Sequence, residues 1–202
     1  VTAATLEIFP HIRRMRDPRF PHEIAVIMPG EYFVSRESMV VYTVLGSCIS
    51  ACIRDPIAGI GGMNHFMLPA PKGGVGVDSW GESARYGSFA MEVLINELLK
   101  HGGLKSRLEV KIFGGGKIYE GSVDVGANNA AWVMTYLSQE GLKPMTADVG
   151  DIYPRKVYYF TESGRVLLKK LERVKNRTIA EREQQYQETL AARKTEADVT
   201  LF

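Results

Sequence analysis

Apolar and polar positions along the chain alternate with two different periods. Ile24-Ala25-Val26-Ile27 and Met39-Val40-Val41-Tyr42-Thr43-Val44 are short apolar runs rich in β-branched residues, which read as strands. They flank a turn-prone Pro29-Gly30 and a polar Ser35-Arg36-Glu37-Ser38. Residues 48–53 and 60–68 form two further runs on either side of Asp55-Pro56, with Gly59 just beyond, and predict a hairpin. Across residues 83–101 the period becomes helical. Phe89, Val93, Leu94 and Leu98 recur at that spacing, and the pattern stops at Gly102-Gly103. Residues 108–113 alternate as a strand and enter Gly114-Gly115-Gly116-Lys117. A second helix is predicted from Asn128, as its N-cap, to Glu140, with Gly141 ending it. Residues 145–149, 156–160 and 165–169 read as strands, the last two joined by a turn at Thr161-Glu162-Ser163-Gly164. Two main helices among about seven strands, in part antiparallel, predict an α/β (α+β) fold with a mixed sheet covered by helices.

The ends depart from this pattern. Residues 1–23 carry His11, Arg13, Arg14, Arg16 and Arg19 among Pro10, Pro18 and Pro21, and read as an N-terminal extension rather than core: a solvated arm, or one that wraps the domain or contacts a partner. The body is expected over residues 24–171. Residues 172–202 form a charged tail that can be helical but lacks an apolar face wide enough for core, and so reads as solvated or ordered on a partner. The Gly-rich stretch 70–82 reads as a surface loop close to His65, placed to act as a lid. Ile118 stands where a phosphate loop needs Ser or Thr after Lys117, so the glycine triplet is read as a close approach of backbones.

Composition narrows the function classes. The 202 residues, 45% apolar and 24% charged, suit one soluble domain with appendages. A net charge of +2 gives no electrostatic case for nucleic acid or an anionic membrane. No apolar run approaches the roughly 18 residues of a membrane span. The first residues, Val1-Thr2-Ala3-Ala4-Thr5, show no signal-peptide pattern. Two cysteines four residues apart make no disulfide framework, so a reducing, cytoplasmic setting is expected.

Cys48 and His65 carry the candidate chemistry. With the turn centred between Pro56 and Ile57, antiparallel partners have numbers summing to 113, and these two residues do so. Directly opposed side chains have Cβ atoms roughly 4.5–5.5 Å apart, which brings an imidazole to a thiol. A neighbouring imidazole generates the nucleophilic thiolate. Gly46-Ser47 before the cysteine offers backbone N–H groups to an oxyanion, and Asn64 beside His65 is a candidate substrate contact. The rival reading makes Cys48 a buried apolar filler, as Cys52 is read. A zinc site of Cys48, Cys52 and His65 supplies three ligands and no obvious fourth.

Thr43-x-Leu45-Gly46-Ser47-Cys48, followed by Gly61-Gly62-Met63-Asn64-His65-Phe66-Met67-Leu68-Pro69, resembles the CheD family of chemoreceptor glutamine deamidases. Arg85-Tyr86, Phe113-Gly114-Gly115-Gly116 and Gly126-Ala127-Asn128-Asn129 extend the resemblance over about residues 24–171. It implies a three-layer sandwich with a mixed, largely antiparallel sheet. It also implies deamidation of glutamines on the cytoplasmic helices of methyl-accepting chemotaxis proteins, without metal or organic cofactor. In that reading Cys48 is the nucleophile, His65 its general base and acid, Thr43 the residue that positions the histidine, and Gly46 and Ser47 hold the oxyanion. A module that binds a CheC-type phosphatase, with catalysis secondary, is the alternative; a cysteine protease or transglutaminase is a third.

Overall fold

The structure, a computed structural model, describes residues 9–69, 80–118, 124–172 and 177–197; of the lid expected at 70–82, residues 70–79 lie outside them and 80–82 are helical. In chain order the described elements are β1 (Arg13–Met15), β2 (Ile24–Val26), β3 (Tyr32–Ser35), β4 (Val40–Leu45), β5 (Ile49–Asp55) and β6 (Ile60–Asn64). They continue with α1 (Trp80–Lys100), β7 (Glu109–Gly114), α2 (Val125–Gln139), β8 (Pro144–Val149), β9 (Arg155–Phe160), β10 (Val166–Lys170) and α3 (Arg177–Ala197).

The fold is α+β, with its strands divided between two five-stranded sheets, ordered β1-β2-β4-β9-β10 and β3-β6-β5-β7-β8. The pairs β2–β4 and β7–β8 are parallel and the other strand pairs antiparallel. Two neighbouring glycines of β6 show how the layers stack. A Cβ on Gly61 would lie 2.7 Å from the carbonyl oxygen of Thr161, the residue that follows β9 of the first sheet, and one on Gly62 would lie 2.9 Å from Leu94 of α1. β6 is therefore closed on by the first sheet from one side and by α1 from the other, an approach that only glycine permits. Between the layers lie Val41 and Tyr159, Ile53 and Ile112, and Leu94, Leu98, Val133 and Leu137. Burying each such side chain contributes about 1.5–3 kcal/mol.

Several local expectations change. In α1 the buried stripe runs through Met91, Leu94, Ile95 and Leu98, while Phe89 is exposed. α2 is capped by Asp124, whose carboxylate accepts from Ala127 N at 2.9 Å, rather than by Asn128. Residues 9–23, expected outside the core, bury Phe9 and Ile12 and supply β1 to the edge of a sheet. Phe9 packs against Tyr32 and Phe33 of β3, a strand that the turn-prone reading of this region had hidden.

The hairpin register differs as well. Cys52 pairs with Met63, Asp55 with Ile60, and Ile49 bridges Phe66, so partner numbers sum to 115, not 113. The cause is Asp55, which is fully buried. Its Oδ1 accepts from Ile57 N at 2.9 Å and Ala58 N at 3.0 Å, and its Oδ2 accepts from Leu104 N at 2.8 Å and Arg107 Nε at 2.7 Å. This Asx turn lengthens the loop to residues 56–59 and moves its centre by one residue.

Candidate active site

Cys48 lies in the bend between β4 and β5, and the bend is held from one side through its carbonyls. Gly116 N donates to Gly46 O at 2.8 Å, Asn129 Nδ2 to Ser47 O at 2.8 Å, and Gly115 N to Cys48 O at 2.8 Å. Asn129 is itself fixed, accepting from Leu68 N at 3.0 Å. Gly114 has φ +117°, and a Cβ there would stand 2.0 Å from the Cys48 carbonyl oxygen. The glycine triplet is thus a place where one backbone lies against another.

With those carbonyls secured, the N–H groups of residues 46–48 converge on the opposite side. They do not face open space. Glu183 of α3 places its carboxylate there, accepting from Gly46 N at 2.7 Å, Ser47 N at 2.8 Å, Ser47 Oγ at 2.6 Å and Cys48 N at 3.4 Å. Successive N–H groups aimed at one point form an anion-binding concavity. Here it is filled by a residue of the same chain. Ile118 closes over Gly46 beside that carboxylate.

The corrected register makes Cys48 and His65 diagonal neighbours on one face, which long side chains still span. The sulfur, an imidazole nitrogen and a Glu183 oxygen lie within 4.8 Å of one another, all buried. Thr43 Oγ1 stands 2.7 Å from His65 Nδ1 and 2.8 Å from Ile27 O. The hydroxyl has one proton, and only one arrangement satisfies all three groups: that proton goes to the Ile27 carbonyl, and Nδ1–H donates to the hydroxyl oxygen. Nε2 is then a bare lone pair, and among the described residues it has no hydrogen-bond partner.

Burial, and secondly the charge of Arg182, push the His65 pKa down to about 3, so the ring is neutral. Burial, and secondly the Glu183 carboxylate, push the Cys48 thiol well up. At rest the pair is thiol and imidazole, not thiolate and imidazolium.

Asn64 is not brought to the cradle. Its Oδ1 accepts from Ala51 N at 2.9 Å and its Nδ2 donates to Ala90 O at 3.0 Å, tying β5 to α1. Cys52 is buried opposite Met63, apart from the cluster. Cys48, His65 and Glu183 could in principle ligate a metal, but both oxygens of Glu183 are already taken by four donors and no fourth protein ligand joins them among the described residues. A cavity of about 710 Å³ lies away from the thiol, between the face of the first sheet and α3, with Tyr42, Lys156, Lys170 and Arg182 in its lining.

Sequence reasoning missed Glu183 and Asn129. A signal existed for the first: Ile179, Glu183, Tyr186 and Leu190 recur at helical spacing, with a carboxylate where an apolar residue would complete the stripe. Asn129 stands within the Gly126-Ala127-Asn128-Asn129 motif, but nothing in its spacing showed that it would hold Ser47.

Residues 67–170 match the family described as CheD chemotactic sensory transduction. Over the longer span that includes Thr43 and Cys48, the chain is 50% identical across 188 residues to the "Probable chemoreceptor glutamine deamidase CheD" of Methylobacillus flagellatus, covering 92% of this chain and 93% of that protein. A protein of the same description from Herminiimonas arsenicoxydans is 49% identical over 189 residues, 92% of each chain. Another, from Halorhodospira halophila, is 46% identical over 197 residues, 96% of this chain and 91% of that protein. An alignment of that length takes in most of α3.

Proposed function

The chain belongs to the CheD family, and on that premise we propose that it hydrolyses glutamine side chains of chemoreceptors to glutamate, using Cys48 as nucleophile and His65 as its base. His65 Nε2 takes the thiol proton as sulfur attacks the carboxamide carbon. The carbonyl oxygen becomes an oxyanion, held by the N–H groups of residues 46–48. The tetrahedral centre collapses, the C–N bond breaks, and the imidazolium gives its proton to the departing ammonia. A water deprotonated by His65 then cleaves the thioester, so that glutamine and water become glutamate and ammonia. Thr43 keeps the ring in the tautomer that can act as base. No step draws on a metal or organic cofactor.

One observation carries this reading: the same three N–H groups that a deamidase needs for its oxyanion already grip a glutamate side chain beside the sulfur. The test is intact-mass analysis of a receptor cytoplasmic fragment incubated with the full chain. The expected result is the mass gain of amide-to-acid conversion with ammonia released in equal amount, stopped by Cys48→Ala. Conversion by Cys48→Ala at the wild-type rate refutes the mechanism, and receptor cleavage or cross-linking in its place assigns a protease or transglutaminase.

The proposed substrate helices belong to the cytoplasmic part of the receptors, and a cytoplasmic location is part of the same proposal. Among the described residues no helix is long and apolar enough to cross a membrane. We propose a CheC-type phosphatase as a further partner, as the resemblance to the family implies. A pull-down in which Cys48→Ala keeps that partner and loses deamidation separates binding from catalysis.

A further inference from the structure

α3 is polar along most of its length, yet it buries Glu183 and Leu190, and Tyr186 packs over Gly30 with its hydroxyl against that of Tyr86. Positions 183, 186 and 190 lie on one helix face, and Ile179, one turn earlier, reaches the neighbouring cavity. The helix therefore docks through a narrow stripe with a carboxylate at its centre. That carboxylate is the side chain which deamidation of a helical glutamine produces. It sits where the oxyanion forms, and with it in place Cys48 is wholly covered.

We propose that α3 is an intramolecular product mimic: its groove is the docking surface for the substrate helix, and α3 must leave that groove before Cys48 can react. The inference rests on the deamidase reading and adds to it the form of the substrate and a regulation of the site. The groove takes an amphipathic helix that presents glutamine at the cradle, with apolar residues four positions before it and three and seven after it. Charge-assisted bonds to the Glu183 carboxylate, the Tyr186–Tyr86 hydroxyl pair and a narrow apolar stripe are among the contacts that hold α3, and a competing helix that presents the same groups can take their place. Asn129 and the glycine triplet hold the cradle from the other side, leaving it formed when α3 departs.

The test uses the full chain and two variants that weaken docking at different points. Glu183→Lys sets a cation against the N–H donors, and Leu190→Asp loosens the helix two turns away without touching the cradle. The readout is the rate of iodoacetamide labelling of Cys48 at neutral pH, taken relative to buried Cys52 by peptide mapping. Both variants are expected to raise that ratio at least about tenfold over wild type, the change that loss of one charge-assisted bond makes in an opening equilibrium. A synthetic peptide of residues 177–197 should slow labelling of Leu190→Asp, and the same peptide carrying Glu183→Lys should not. A wild-type labelling ratio in both variants overturns the proposal. Receptor deamidation, measured in parallel, keeps the two readings apart. Faster labelling without deamidation sinks the substrate assignment and leaves α3 as a plug, whereas wild-type deamidation with unchanged labelling sinks the plug alone.

Discussion

Replacing Thr43 by valine removes one oxygen from the centre of the site, and its consequence follows from proton positions. In the native arrangement the Thr43 hydroxyl accepts from His65 Nδ1–H at 2.7 Å and donates to Ile27 O at 2.8 Å. Valine leaves the buried Nδ1–H without its acceptor, at a cost of about 1–3 kcal/mol. The ring can shed much of that cost by carrying its proton on Nε2 instead, and Nε2 then has no lone pair for the thiol. The population of the working tautomer falls by the same free energy, so deamidation should slow by about 5- to 150-fold. Thr43→Ser keeps the oxygen and should stay within a few-fold of wild type. The assay is ammonia release from a receptor fragment, with urea unfolding to show that both variants are folded. Opening of α3 multiplies all three rates by one factor, so their ratios survive it. Valine at the wild-type rate would mean that Thr43 does not set the His65 tautomer, and the derivation of the base would fail.

Other perturbations test the surroundings. His65 has its pKa pushed from 6.5 down to about 3, so the unfolded chain binds a proton between those values that the folded chain refuses. Stability should therefore fall as pH drops below 6.5, by about 1.4 kcal/mol per unit, and urea midpoints of His65→Gln should lack that part of the slope. Asp55→Ala takes the acceptor from three backbone amides, of Ile57, Ala58 and Leu104, and the carboxylate from Arg107, and should cost about 3–5 kcal/mol in urea unfolding. Gly114→Ala adds a methyl group against the Cys48 carbonyl at a φ that L residues avoid; beyond about 1–3 kcal/mol of strain it should abolish deamidation. Gly59→Ala, with positive φ but open space around it, should show the strain and keep the activity.

Much of the frame was legible because burial imposes periodicity. The runs at β2, β4, β5 and β7 through β10 could be read from β-branched residues and turns, and both main helices from their terminating glycines. Where polar atoms decide geometry, the sequence was silent. The hairpin register moved because Asp55 binds two turn amides and an arginine from another segment, and no local pattern encodes that meeting. Asn64 looked like a site residue for being next to His65, yet neighbours in a strand point to opposite faces, and its amide is spent on Ala51 and Ala90. The tail read as solvated because one glutamate breaks its apolar stripe. That same glutamate is what docks it.

The resting electrostatics bind these features into one account. A carboxylate beside the sulfur opposes thiolate formation, and burial of both groups keeps Cys48 and His65 neutral. A substrate glutamine brings a carboxamide, which carries no charge and offers its carbonyl oxygen to the same N–H groups. In the proposed mechanism its arrival in place of Glu183 removes the second cause of the raised thiol pKa, after burial, while the imidazole lone pair is already in place. Hydrolysis then makes a new carboxylate in the cradle and restores the opposition. On the proposed mechanism such a site is switched on by the neutrality of its substrate and off by the charge of its product, and α3, as the proposed product mimic, carries a standing copy of the second state.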